Sequence, residues 1–511
     1  MNRLRRPGVA ATLAILALFQ GMAGWVAAAQ QDLPDMGSAA NAAISLDEEY
    51  RVGLMVVRGL RDSGQILDDP EVSEYIQAVG HSISSHADEG AHQFYYFVVK
   101  DPSINAYALP GGFIAIHSGL LLATRNENEL AGVLAHETAH VTQRHLARGV
   151  VDQAHAGLIS TAAMLAAILL GATAGGRNSG DVMQGAIVAS QSAAIQHQLN
   201  YSRANEIEAD RIGIGTMAAA GFDPLGMPAF FQTMMRLDGD PAMNSFEFLQ
   251  THPVNTTRIA ESKERAEAIG RIRHVDSESY ALIRERLRTL VGRPEDAKAY
   301  YEGLIRNGAG RSPDQRYGLA VANIALGVAA PAIKELRSLV AEHPKVTQYY
   351  GALGQALLAD GQIAESRAQL EAALNLFPRN VPITIRLAET LMRAGDNKRA
   401  HQILLDLFNV VAPTPDQARL IAKAANAAGD IGDSYYYMSE FYIMSGELML
   451  ASNQLQMALG LPGINAIQRA RCSARLEEVH NAMPKVRRGG FADRSGGGSG
   501  GEDGPGGARL N

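Results

Sequence analysis

The chain has 511 residues, 47% of them hydrophobic and 19% charged, with a formal net charge of −7. That length exceeds one ordinary core and points to two or three domains, while the mild negative charge excludes the strongly basic face of a nucleic-acid binder. A single cysteine, Cys472, excludes an intrachain disulfide, so stability must come from packing and metal, and Cys472 itself reads as a buried small hydrophobe.

Taken in chain order, residues 1–29 read as a secretory signal peptide. Arg3, Arg5 and Arg6 precede an apolar run from Val9 to Met22, and small residues lead to an expected cut after Ala29. From 30 to 275 the pattern is a mixed, mainly helical domain. Phe94–Val99 is aromatic and β-branched, as in a buried strand, and Phe113–His117 follows the Pro110-Gly111-Gly112 turn as a second strand. Asn126 with Glu129 makes a capping-box-like start to a helix, and Leu130, Val133, Leu134 and Val141 continue it at helical spacing to about Arg148. The apolar run 156–175 approaches the length of a membrane span, but it is alanine-rich and lacks aromatic flanks. It reads as a buried or membrane-surface helix, which admits peripheral membrane contact, and 175–181 reads as a mobile loop.

Residues 278–485 contain an internal repeat. Gly327, Gly361, Gly395 and Gly429 are each 34 residues apart. Leu319, Leu353, Leu387 and Ile421 precede them at one fixed distance, and Ala332, Ser366, Ala400 and Ser434 follow at another. That period with small residues at fixed places is the tetratricopeptide helix–turn–helix, in which glycine ends the first helix and small side chains admit the second. Residues 486–511 are glycine-rich and expected to be disordered. The fold class is therefore mainly α: a zincin-type α+β domain with a small sheet, followed by an all-α tetratricopeptide solenoid.

The chemistry concentrates in His136-Glu137-Thr138-Ala139-His140. Histidines four apart share one helix face and can bind one Zn²⁺. Glu137, turned away by one residue, can take the proton of a zinc-bound water as that water attacks a peptide carbonyl. A third ligand is needed. His145, five residues past His140, points about 140° away on the same helix and cannot converge, whereas Glu206 lies in a second helical stretch and shares a face with Asp210. Glu206 completes the two-His, one-Glu set of a catalytic zinc, one ion per subunit. Asp210 can orient a ligand histidine or serve in proton transfer. Glu208, on another face, reads as a solvated charge.

These motifs resemble the gluzincin family of the CAAX-prenyl protease and the heat-shock membrane protease HtpX. The resemblance rests on HETAH, on Glu206 to Asp210 as Glu-x-x-Ala-Asp, and on Asn105–Gly112 before the catalytic helix. It implies that Asn105 and Ala106 contact substrate. With the signal peptide and the repeats, the chain is similar to the periplasmic β-barrel assembly-enhancing proteases of Gram-negative bacteria. That likeness implies a periplasmic location and action on unfolded or stalled outer-membrane proteins. It further implies an assembly-promoting role and docking on the barrel-assembly machinery through the repeats. It also implies that His252, in Thr251-His252-Pro253, is regulatory, a fourth ligand in a resting state. A transition-state hydrogen-bond donor and an ordinary surface turn are the other readings of His252. The disulfide of that family's repeat domain cannot form here.

Three classes of function compete. An endopeptidase accounts for His136, Glu137, His140 and Glu206 together. A non-enzymatic adaptor or chaperone with a structural zinc does not need Glu137, although His252 could close its metal site. An exopeptidase would need a site for a free amine, and the sequence offers none.

Overall fold

The computed structural model describes residues 45–87, 93–152, 203–237 and 247–483. The expected signal peptide, the apolar run 156–175 with the loop after it, and the glycine-rich tail lie outside the described residues. No helix among the described residues is long and apolar enough to cross a membrane.

Two helices open the described fold, α1 (Leu46–Asp62) and α2 (Pro70–Ser84). Ser45 and Glu48 form a capping box at the start of α1, and the Asp69 side chain caps α2, whose Pro70 is pre-set for a first helical position. A three-stranded sheet follows, built from β1 (Tyr95–Val99), β2 (Ala106–Leu109) and β3 (Phe113–His117) in the order β1-β3-β2. β1 runs parallel to β3 with Tyr95 opposite Phe113, and β2 runs antiparallel to β3 with Ala106 opposite Ile116. The sequence pattern marks β1 and β3. It misses β2, because Ala106-Tyr107-Ala108-Leu109 is short and half alanine, a residue with little strand preference.

After a short helix α3 (Ser118–Ala123) comes α4 (Glu127–Thr142), the centre of the domain. It is buried on nearly every side and packs against α2, β2, α6 (Arg203–Ala219) and α7 (Gly226–Leu237). The Asn126 side chain accepts from the Glu129 N–H at 2.9 Å, as the cap pattern predicts. Glu129, however, reaches back to the Arg125 N–H and guanidinium rather than to Asn126. The helix also stops sooner than its apolar period suggests. Arg144 takes a left-handed φ of 50°, and α5 (His145–Asp152) starts in a new direction. A buried ion pair stabilises this break: Arg144 Nε and Nη2 donate to Glu49 Oε1 at 2.9 and 2.6 Å.

A five-residue helix α8 (Glu247–Thr251) and α9 (Thr256–Ile269) follow. The segment from 270 to 277 then runs over the start of α4. Glu127 accepts there from the Ser277 N–H, the Ser277 hydroxyl and Tyr75, and pairs with His274. The repeat helices begin with α10 (Glu278–Val291) and α11 (Pro294–Arg306). They continue as α12 (Pro313–Ala325) and α13 (Ala329–Glu342), α14 (Thr347–Ala359) and α15 (Ile363–Leu376), α16 (Val381–Arg393) and α17 (Asn397–Phe408).

The period of 34 residues has a direct backbone cause. Gly327, Gly361, Gly395 and Gly429 all have positive φ, between 72° and 86°. Each ends its helix with the same closing bond: the next residue's N–H returns to a carbonyl five back, as in Val328 to Asn323 and Gln362 to Leu357. Ala332, Ser366 and Ala400 are fully buried where the second helix of each pair crosses the first.

The chain divides into two compact units, 1–413 and 414–511. In the first, α10, α14 and α16 meet α2 through a buried four-charge cluster. Arg286 grips Asp69 at 2.7 and 2.6 Å, and Arg386 grips Glu71 at 3.1 and 2.7 Å. Each guanidinium also touches the other's carboxylate at 3.2 Å. Gly351 on α14 leaves the space, since a Cβ there would sit 3.0 Å from Glu71 Oε1. The second unit packs α18 (Pro415–Ala428), α19 (Ile431–Met444), α20 (Leu448–Leu459) and α21 (Ala466–Ala482) in sequence. Part of its core is Ala451, Leu455, Ala458 and Val479 around Cys472, which is fully buried as expected.

Candidate metal centre

Four segments deliver the site. α4 presents His136, Glu137 and His140, α6 presents Glu206 and Asp210 one turn apart, His252 follows α8, and Arg258 lies in the first turn of α9. Two glycines allow α4 to approach its neighbours. A Cβ on Gly132 would come within 2.8 Å of the Met227 Cα, and one on Gly213 within 3.0 Å of the Ala135 backbone. Alanine at Gly213 would push α6 from α4, the helices that bring Glu206 and His136 together, and alanine at Gly132 would push α4 from α7.

One ligand atom from each of His136, His140, Glu206 and His252 falls within 4.8 Å of the others, and all four residues are buried. The Nε2 atoms of His136 and His140 are 3.0 Å apart. Glu206 reaches them at 3.5 and 3.4 Å with its two oxygens, and His252 Nδ1 lies 3.1 Å from Glu206 Oε1 and 3.3 Å from His136 Nε2. Buried imidazole nitrogens facing one another around a carboxylate are the donor set of a divalent cation. The residues present therefore fit a metal.

Carboxylates and burial act on the imidazoles in opposite directions. Burial would push the His136 imidazole down, but the Asp210 and Glu206 carboxylates draw it well above its ordinary value. Burial drives His140 well below its own. Burial acts to raise Glu206, yet the surrounding histidines hold it well below the usual carboxylate range, so it stays ionised. Glu137 is the opposite case: burial raises its carboxyl above the ordinary carboxylate value. Its carboxylate faces His252 Nε2 at 3.5 Å, and neither of its oxygens accepts a hydrogen bond from the described residues.

Asp210 lies 3.0 Å from His136 Nδ1 and does not reach the inner group. Asn105 and Ala106 are buried at the start of the edge strand β2, and the Ile104 carbonyl just before them accepts the Phe248 N–H of α8 at 3.2 Å. Phe248 in turn stacks on the His252 ring, with centroids 4.9 Å apart. His252 is thus far from a surface turn: it is fully buried in the centre.

Sequence reasoning missed three residues. The break at Arg144 turns His145 back, so that its Nδ1 meets His140 Nδ1 at 2.8 Å while its Nε2 pairs with Glu208 Oε2 at 3.1 Å. Glu208, read as a solvated charge, is bonded to His145 and also to Arg148. Arg258 pairs with Glu206 and with Asp210, each at 2.8 Å. Only the nearby Asn255 cap, which starts α9 and places Arg258 in its first turn, could have pointed to it.

Comparison with known proteins agrees with this geometry. Residues 70–266 match Peptidase family M48, and residues 357–424 match the tetratricopeptide repeat. A putative β-barrel assembly-enhancing protease of Vibrio cholerae is 32% identical over 454 residues, which cover 88% of this chain and 92% of that one. The β-barrel assembly-enhancing protease of Escherichia coli is 28% identical over 491 residues, 95% of this chain and 99% of its own. The mitochondrial metalloendopeptidase OMA1 of Arabidopsis thaliana is 31% identical over 218 residues, 42% of this chain and 40% of that protein. Fold, HExxH helix and family match together define a metalloendopeptidase joined to tetratricopeptide repeats. Within that class, the chain belongs to the family of β-barrel assembly-enhancing proteases.

Proposed function

We propose that the centre holds one zinc ion per chain through His136, His140 and Glu206, and that the enzyme cleaves internal peptide bonds of unfolded or stalled outer-membrane β-barrel proteins in the periplasm. The observation that carries this reading is the convergence of those three side chains beside the buried Glu137 carboxylate. The substrate class is supported by the names of the Vibrio cholerae and Escherichia coli relatives, which align over nearly their whole length.

Zinc bound there would supply Lewis acidity, polarising a peptide carbonyl and acidifying a water molecule. Glu137 accepts the proton of the attacking water and returns it to the leaving amine. Asp210 holds the outer nitrogen of His136, fixing its tautomer, and so acts on the centre through that ring. His145, tied to Glu208, does the same for His140. An extended substrate segment lies along the edge strand β2 at Asn105 and Ala106, which places its peptide bond beside Glu137. We read 30–275 as the protease domain and 278–485 as the repeat domain, whose paired helices dock clients and the barrel-assembly machinery.

His252 occupies the fourth donor position of a resting state, and α8 must withdraw for substrate to enter. The same fourth donor is what an adaptor with a structural metal would carry. Glu137 favours the enzyme, because a closed structural site has no use for a buried carboxylate at its open side.

Purified protein tests the proposal directly. The wild type should carry one zinc and degrade an unfolded porin, and a chelator should stop it. Glu137→Gln should keep zinc and fold and lose about 10²-fold or more of the activity, and Glu206→Ala should lose zinc. Substantial cleavage by Glu137→Gln would assign the base elsewhere, and undiminished zinc in Glu206→Ala would remove that ligand.

A further inference from the structure

Arg258 makes more contacts at the centre than any reading of its sequence position suggests. Its guanidinium is 5% exposed and lies 5.0 Å from the centroid of the Phe231 ring. Nε and Nη2 each donate to one oxygen of Asp210 at 2.8 Å, a fork-to-carboxylate pair that fixes both planes. Nη1 donates to the Pro253 carbonyl at 2.9 Å and lies 2.8 Å from Glu206 Oε2. One rigid group therefore contacts three segments of chain.

The consequences fall on the two residues that flank His136. Oδ1 of Asp210 accepts from Arg258 and lies 3.0 Å from His136 Nδ1, so the fork decides where that oxygen points. Nη1 also holds Oε2 of Glu206, the oxygen that lies 3.5 Å from His136 Nε2, while Oε1 lies toward His140 Nε2 at 3.4 Å and His252 Nδ1 at 3.1 Å. Two buried carboxylates beside a cation site would otherwise repel each other, and the guanidinium balances them without occupying a nitrogen-facing position.

We infer that Arg258 is the positioning residue of this centre: its fork orients Asp210, and through it His136, and its third donor fixes the plane of the Glu206 carboxylate. This rests on the proposal that the group holds zinc. A lysine cannot substitute, because a single ammonium cannot span Asp210, Glu206 and the Pro253 carbonyl in fixed planes.

The test is Arg258→Lys in the full chain, with zinc affinity measured by competition against a chelator. It should be about 10- to 100-fold weaker than in the wild type. The visible spectrum of the cobalt-substituted protein should change, and at saturating zinc kcat should fall more than KM rises. Circular dichroism and the melting temperature of the metal-free protein should stay close to wild type. A merely structural role would lower the melting temperature and leave affinity and spectrum untouched in the folded fraction. Should Arg258→Lys not fold, the charge-balanced double variant Asp210→Asn with Arg258→Met removes both charges and should still bind zinc more weakly. Wild-type affinity and spectrum in either folded variant overturns the inference, and failure of both to fold assigns the guanidinium to the fold and rejects the positioning role. A wild type that takes up no zinc overturns the metal reading itself, an outcome separable from the other two.

Discussion

Replacing Arg286 by Met tests how the repeats are fastened to the protease domain. The guanidinium is 2% exposed, holds Asp69 through two short bonds and touches Glu71 at 3.2 Å. Without it, two buried carboxylates share only Arg386, and breaking a buried pair from one side costs about 3–5 kcal/mol. A second route gives a similar scale. Burial would raise the Asp69 carboxyl, but Arg286 and then Arg386 bring it down to about 2 from 3.8. At about 1.4 kcal/mol per pK unit, that depression is worth roughly 2 kcal/mol. Because the folded pKa is depressed, this stability is present above the unfolded value and is lost as pH falls from about 4 through about 2. Urea unfolding of the full chain at pH 7, followed by circular dichroism and tyrosine fluorescence, should show the loss in Arg286→Met. Adding Asp69→Asn should restore about half of it, since the asparagine keeps the cap on the Val72 N–H while cancelling the unpaired charge. A loss under about 1 kcal/mol, or single-variant effects that simply add, would refute the reasoning.

Two further outcomes follow from groups nearby and at the centre. Burial and then the charge of Glu71 push Glu74 up to about 7 from 4.5, so the folded state holds its proton more tightly than the unfolded one. The stability this confers is complete below about 4.5 and is lost as pH rises through about 7. Glu74→Gln should therefore raise stability at pH 8 by roughly 1–3 kcal/mol and flatten the dependence between pH 5 and 7, and a wild-type slope in unfolding midpoints would contradict this. His252→Ala should leave zinc in place and raise basal cleavage of an unfolded protein by about 10-fold or more, if the closed state dominates. A slower variant would instead make His252 a hydrogen-bond donor to the transition state.

What the sequence made legible is local. The period of 34 residues in the repeats could be read because each glycine sits at one backbone position that requires positive φ. His136, Glu137, His140, Glu206 and Asp210 could be read because spacing on a helix determines which side chains share a face. The missed features are contacts between elements that no spacing encodes. His145 was excluded by assuming a continuous helix, and Glu49, 95 residues away, is what stabilises the break. β2 escaped because it is paired by β3 and not by its own residues. Arg258 escaped because an arginine in a first helical turn is ordinarily solvated, and only the fold brings Glu206 and Asp210 to it.

The same distinction bears on where control of the site can reside. From the repeats, Arg286 and Arg386 bind the N-terminal turn of α2, and Tyr75 on α2 bonds Glu127 at the start of α4. That is a contiguous path toward His136, but contiguity alone transmits nothing without an element that has two arrangements. Every group on this path is buried and charge-balanced or multiply bonded, which makes it a brace. The short helix α8 is held differently. One backbone bond from Phe248 to Ile104 ties it to the start of β2, the buried Phe248 ring packs on Phe230, His252 meets Glu206 and His136, and the Pro253 carbonyl accepts from Arg258. A substrate strand that pairs along β2 would approach that Ile104 bond, and losing it would remove the tie between β2 and the arm that carries His252. Under the proposed function the repeats then hold a client before a fixed centre, while the client itself, by claiming β2, displaces the residue that closes the metal.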